Sequence, residues 1–195
     1  MPDTHTIRSF IAFCFPENII FRIKKLQEEM QKYKLKIRWV EPKNIHLTLK
    51  FLGNISHESI EKAGRVINET AGEQKPVSLI AKGIGVFPGI KHPRIIWVGV
   101  GRGTDRLIEL QKNLDKKLVK AGFSKDKKPF TSHITIGRVK GKNIPENLMN
   151  AMAALKGFES EEFIADHIDM YKSDLKHGGP VYTRLMSVPF LEDII

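Results

Sequence analysis

Two stretches decide the fold: IHLTLKFLGN at residues 45–54 and HITIGRV at residues 133–139. Both are rich in β-branched and aliphatic residues, and each places a polar residue at every second position at its start, which is the pattern of a half-buried strand. His46-Leu47-Thr48-Leu49 and His133-Ile134-Thr135-Ile136 are the same four-residue pattern 87 residues apart. On a strand, alternate residues share a face, so each copy sets an imidazole beside a hydroxyl while two aliphatic side chains point into a core.

Outward from these strands, apolar periodicity alternates between two and about 3.6. Residues 7–15 (IRSFIAFCF) read as a strand ended by Pro16, and Ile19, Ile23, Leu26, Met30 and Tyr33 form one stripe of a helix over 17–34. The first motif's strand is expected over 45–52. Ser56 is positioned to cap a helix that turns Ile60, Ala63, Ile67 and Ala71 inward. Residues 77–86 and 94–100 read as paired strands, followed by a helix capped at Thr104, with Leu107, Leu110, Leu114 and Leu118 inward and its end near Gly122. Pro145 suits the first turn of a short helix carrying Leu148, Met149 and Met152. Two last strands, near 162–171 and 181–190, flank the turn-rich LKHGGP. No Gly/Ser linker interrupts the chain, so the expectation is one α+β unit of two intimate lobes with antiparallel sheets, rather than a doubly wound parallel sheet.

Composition narrows the function classes. At 195 residues with 41% hydrophobic and 28% charged side chains, the chain is expected to fold along nearly all its length. No apolar run approaches the roughly 18 residues that span a bilayer, and no secretory signal is evident, so the cytoplasm is the expected compartment. The single cysteine, Cys14, excludes an internal disulfide and reads as a small buried hydrophobe. A net charge of +10 raises the local concentration of a polyanion, which favours a nucleic-acid substrate without identifying one.

With seven histidines and eight threonines, chance supplies about 0.3 His-x-Thr matches, and the demanded aliphatic positions make two copies rarer still. The other histidines, His5, His57, His92, His167 and His177, lack the spacing of a zinc site. Gly137-x-x-x-Gly141-Lys142 is one residue short of a phosphate loop, and Gly99-x-Gly101-x-x-Thr104 lacks the third glycine of a dinucleotide site.

Taken with RSFIAFCFP, IRWVEPKNIHLTLKFLGN, RIIWVGV, FTSHITIGR and YKSDLKHGGPVYTRL, the two motifs make the chain resemble the 2H phosphoesterase superfamily. Within it, the resemblance is to the LigT-like RNA 2′,3′-cyclic phosphodiesterases, also described as 2′-5′ RNA ligases. It spans 1–195 and implies a single LigT-like domain of two pseudo-symmetric lobes with outer helices around a central cleft, each lobe contributing one HxTx motif. One departure is Ser132, where similar relatives carry proline.

Two imidazoles suit that chemistry without a metal or other cofactor, because opening a cyclic phosphate needs a base for water and an acid for the leaving oxygen, and histidine titrates near pH 6.5. The resemblance assigns His46 as proton donor to the departing 3′ oxygen and His133 as proton acceptor from water, giving a 2′-phosphate; the motifs alone do not orient the pair. Thr48 and Thr135 are candidates to hold the nonbridging oxygens. Arg138 matches a basic position after the second motif. Strand parity opposes its reaching the site unless the strand bulges, which Gly137 would permit, so phosphate ligand and surface cation both stand. Phe51, at the end of the first motif's strand, could stack on a base, but its parity with Leu47 and Leu49 favours the core. The expected partners are RNA ends or small nucleotides bearing a 2′,3′-cyclic phosphate, acted on by a monomer with no membrane contact. Alternatives are 2′-5′ ligation of RNA halves, disfavoured because water at about 55 M competes with a dilute hydroxyl, and a noncatalytic RNA-binding module.

Overall fold

The computed structural model describes residues 6–141 and 146–191. Among them the order is β1 (Ile7–Cys14), α1 (Glu17–Gln31), β2 (Ile37–Trp39), a 3-10 turn at Pro42–Asn44, β3 (His46–Ile55), α2 (His57–Ala71), β4 (Val77–Phe87) and β5 (Ile95–Val100). Then come α3 (Thr104–Lys120), β6 (His133–Val139), α4 (Glu146–Ala154), β7 (Glu159–Ala165), β8 (His167–Lys176) and β9 (Gly179–Pro189).

The strands form one sheet in the order β7-β4-β5-β6-β3-β1-β8-β9, with β2 added against β6. Every pairing is antiparallel, as expected from strands that alternate between a core face and a wetter one. The sheet divides into two four-stranded halves, β3-β1-β8-β9 and β6-β5-β4-β7. They meet through one register pair, Leu47 opposite Ile134. Both residues are fully buried, so the aliphatic positions of the two motifs close the seam between the halves.

The helices cross over. α1 follows β1 in the first half, yet Arg22 donates to the Glu159 carbonyl of β7, and Phe15, just before the helix, meets Phe163 of β7 edge-on at 5.2 Å. α3 follows β5 in the second half, yet its Asp115 pairs with Lys50 of β3. Ile19, Ile23, Leu26 and Met30 of α1 and Leu107, Leu110, Leu114 and Leu118 of α3 are buried, as their spacing predicts. Ser56 caps α2 by accepting from the Ser59 amide.

Several local expectations are corrected. Thr104 is the first residue inside α3 rather than its cap; Gly103 holds that position in the left-handed region, and the Thr104 hydroxyl donates back to the Val100 carbonyl. α1 ends at Gln31, not near 34. The stretch read as one strand over 162–171 is two, β7 and β8, because the chain leaves one edge of the sheet at Asp166 and re-enters the other half beside β1. Strand β2 was not expected; three residues carry too little periodicity to be seen. Met149 of α4 is exposed while Leu148 is buried, and Pro145 lies outside the described residues. Cys14 is only half-buried, its Sγ 2.8 Å from the Tyr171 hydroxyl, and burial pushes the thiol up to about 11.

Candidate active site

The antiparallel seam sets the two motifs head to tail, so that His46 lies on the side of Thr135 and His133 on the side of Thr48. All four line a cleft of about 710 Å³. Each imidazole is fixed in the same way. His46 Nδ1 is 2.7 Å from the carbonyl of Asn44, two residues earlier, and His133 Nδ1 is 2.7 Å from the carbonyl of Thr131, again two earlier. A carbonyl only accepts, so Nδ1 carries the hydrogen in both rings and donates it. Nε2 is then the nitrogen left for chemistry. His46 Nε2 is 3.0 Å from Thr48 Oγ1.

The surroundings of the two rings differ. His46 packs between Phe10, with centroids 4.8 Å apart, and the edge of Tyr182 at 5.3 Å. Burial holds its pKa below the usual imidazole value, the Asn44 carbonyl opposes that shift, and the charge of His133 adds to it. His133 packs edge-on to Phe87 at 5.0 Å, with Trp97 at 6.5 Å. Tyr182 is also desolvated, which raises its pKa despite the nearby charges of Arg138 and Arg8. Its hydroxyl therefore stays protonated at neutral pH.

Both motif strands carry a bulge at the same place. On β3, Thr48 faces Ala12 and Lys50 faces Ile11, leaving Leu49 without a partner. On β6, Thr135 faces Trp97 and Gly137 faces Ile96, leaving Ile136 without one. Each extra residue reverses the parity beyond it. Arg138, opposite Ile95 on β5 and Arg38 on β2, is thereby turned toward the side of Thr135 and lines the cleft. Gly137 is required beside this bulge: a Cβ there would sit 2.7 Å from Ile37 Cγ2 and 3.2 Å from the Trp39 ring.

The same reversal corrects the reading of Phe51. It occupies the position on β3 that Arg138 occupies on β6. It is 66% exposed and lines the cleft rather than the core. Parity counted straight along 47, 49 and 51 missed the bulge at Leu49. Arg8, Arg38, Asn44 and Tyr182 also line the cleft and were not singled out from sequence. The carbonyl anchors could have been found, because Asn44 and Thr131 are related by the same 87-residue offset as the motifs. Of the remaining histidines, His177 lies exposed at the β8–β9 turn and His167 pairs with Asp166 and Asp169. Among the described residues no group of three or more His, Cys, Asp or Glu is placed to hold a metal ion, and no helix is long and apolar enough to cross a membrane.

Two facing His-x-Thr strands across one sheet seam, with arginines at the rim of the cleft, are the layout of a phosphoesterase. The family model described as LigT-like phosphoesterase matches the chain twice, over residues 14–97 and 98–182, and the chain belongs to that family. It is 37% identical over 177 residues to the RNA 2′,3′-cyclic phosphodiesterase of Methanocaldococcus jannaschii, covering 90% of this chain and 96% of that one. To the protein of the same name from Thermotoga maritima it is 33% identical over 184 residues, covering 94% and 96%. Among solved structures it is similar to TT0787 of Thermus thermophilus, with a TM-score of 0.80 at 23% identity over 94% of this chain and 98% of that one. E. coli LigT complexed with 3′-AMP gives a TM-score of 0.75 at 23% identity over 96% and 99%. At those identities the structural likeness supports the fold.

Proposed function

We propose that this chain hydrolyses RNA 2′,3′-cyclic phosphates by acid/base catalysis between His46 and His133, without a metal. The observation that carries the reading is the matched pair of Nδ1-to-carbonyl bonds, which leaves two Nε2 atoms on one cleft and gives each ring a fixed tautomer. In the forward step His133 Nε2 takes a proton from water as its oxygen bonds to phosphorus. The bond from phosphorus to the 3′ oxygen breaks, and that oxygen takes a proton from His46. One water is added, and both imidazoles regain their starting states by exchange with solvent. Thr135 donates to a nonbridging oxygen where negative charge grows, and Thr48 does the same once His46 is protonated and no longer accepts from its hydroxyl. Arg138 and Arg38 hold phosphate at the second half's rim. Phe51 offers an exposed ring on which a base stacks.

Burial on its own favours a neutral His46, whereas the donor role needs the charged form. A phosphate anion bound between the rings works the other way, since an opposite charge within a few ångströms raises an imidazole pKa. The relatives' name and the family match support the substrate class.

The test is turnover of an RNA ending in a 2′,3′-cyclic phosphate, in EDTA, by the wild type, His46→Ala and His133→Ala. The expected outcome is a 2′-phosphate product and a loss of at least about 10²-fold for either substitution. Unchanged turnover in both variants sinks the two-histidine reading, and turnover that EDTA abolishes sinks metal independence. A substrate with sulfur in place of the 3′ oxygen separates the roles. It needs no proton on departure, so it rescues only the variant that lacks the donor.

A further inference from the structure

The bulges at Leu49 and Ile136 decide which side chains face the cleft, so whatever holds the bulges shapes the site. A bulge leaves its extra residue without a partner on the strand across from it, so what that residue's buried backbone bonds on its other side bears on whether the bulge is held. At Ile136 the carbonyl accepts from the Val40 amide at 3.0 Å and from Gln27 Nε2 at 2.9 Å. The same Gln27 nitrogen donates to the Val40 carbonyl at 2.9 Å. One amide group thus ties α1, the chain just after β2, and the bulge in β6. Gln27 is 4% exposed, and a polar side chain is rarely buried to that degree without a task.

The first half repeats the arrangement from the other side. Gln111 of α3, 5% exposed, points its Nε2 at the carbonyl of Leu49 across a longer 3.4 Å. The two glutamines sit on the two crossing helices and each addresses the bulged last residue of one motif. The hold on β6 is the tighter, one bond of 2.9 Å against one of 3.4 Å on β3.

We infer that Gln27 is a positioning residue for phosphate recognition: by capping the bulged Ile136 carbonyl it keeps Arg138 turned into the cleft beside Thr135. The inference rests on the reading of the cleft given above. Gln27 does not line the cleft, although its partner Val40 does. It acts through the register of β6, because a strand without the bulge would turn Arg138 away from the side that Thr135 occupies. Gln111 holds the corresponding register for Phe51.

The experiment is a double-mutant cycle on an oligoribonucleotide ending in a 2′,3′-cyclic phosphate, with Gln27→Met, Arg138→Ala and Phe51→Ala alone and in pairs. Gln27→Met keeps the side-chain volume and removes both donor bonds. The expected result is a KM raised about tenfold, since a displacement of roughly 1 Å in a positioned group carries penalties up to 10²-fold. Gln27→Met with Arg138→Ala should be no worse than Arg138→Ala alone, within about twofold. The effects of Gln27→Met and Phe51→Ala should multiply. Equal multiplication in both pairs, or an unchanged KM in Gln27→Met, overturns the inference, as does an unchanged KM in Arg138→Ala while His46→Ala is inactive. An active His46→Ala would instead overturn the proposed function.

Should Gln27→Met not fold, Gln27→Glu replaces it. Burial keeps that carboxyl protonated at mildly acidic pH, where it donates one hydrogen bond; once ionised it faces two carbonyl oxygens. The ratio of its KM to that of the wild type is expected to rise between pH 5 and 8, and a flat ratio overturns the inference.

Discussion

Single residues carry both the chemistry and some of the pH dependence of stability. His167 lies away from the cleft, with Nδ1 2.5 Å from Asp166 Oδ1 and Nε2 3.3 Å from Oδ2 of the buried Asp169. Tyr171 donates to the same carboxylate at 2.9 Å, and Arg184 stands 4.0 Å from its other oxygen. The bond to Asp169 raises the His167 pKa to about 9, with burial opposing and Asp166 assisting. A folded-state pKa above the unfolded value of about 6.5 means stability fully present below that pH and lost as pH rises through about 9. The wild type should therefore lose roughly 2–5 °C of Tm between pH 6.5 and 9, and His167→Gln should show a flatter profile over that range. Identical thermal profiles for the two proteins would count against this pairing. His46 has the opposite sign, since its folded pKa is lowered: as a group it weakens folding when pH falls below about 6.5.

At the scale of elements, the strands that bear the motifs are fastened to helices by polar groups as well as by aliphatic stripes. Lys50, just past the bulge of β3 and 2% exposed at its side chain, bonds Asp115 of α3, Asp126 at 2.9 Å and the Ser124 carbonyl at 2.8 Å. Through it the loop that leads to His133 is tied to the strand that carries His46. Lys50→Ala leaves Asp115 without its buried partner and should cost about 3–5 kcal/mol in urea unfolding. Adding Asp115→Asn should recover part of that loss, and no recovery would argue against the pairing. These fastenings were not legible in the sequence. The strands of both motifs, the helical stripes and the β8–β9 turn were, because apolar spacing reports them directly. The bulges were not, since an extra residue leaves no mark on composition, and Phe51 was misassigned for that reason alone. The break at Asp166 was hidden by continuous strand propensity across two elements.

The whole molecule sets how substrate arrives. The net charge of +10 is general, and the cleft carries part of it, with Arg8, Arg38 and Arg138 on its walls beside Glu41. One phosphate contact for each of these three arginines would make log(kcat/KM) for an oligoribonucleotide fall with log salt at a slope of about −2, whereas a mononucleotide cyclic phosphate gives about −0.7. Equal slopes for the two substrates would place the arginines outside the binding path. The two-lobed, antiparallel plan was legible from the repeated motif. The crossing of α1 and α3 was not, since nothing in a helix's own stripe names the sheet it will cover. The seam at Leu47 and Ile134 has one more consequence. A cleft built from two identical halves would accept a ribose cyclic phosphate in either of two orientations that exchange the 2′ and 3′ oxygens, and its products would be a mixture. Regioselectivity has to come from positions where the halves differ, and at the first cleft-facing position past each bulge one half holds Phe51 and the other Arg138. Joining both halves in one chain is what allows those two positions to diverge, so the proposed choice of a 2′-phosphate would rest on the inequality of the repeats rather than on the histidines they share.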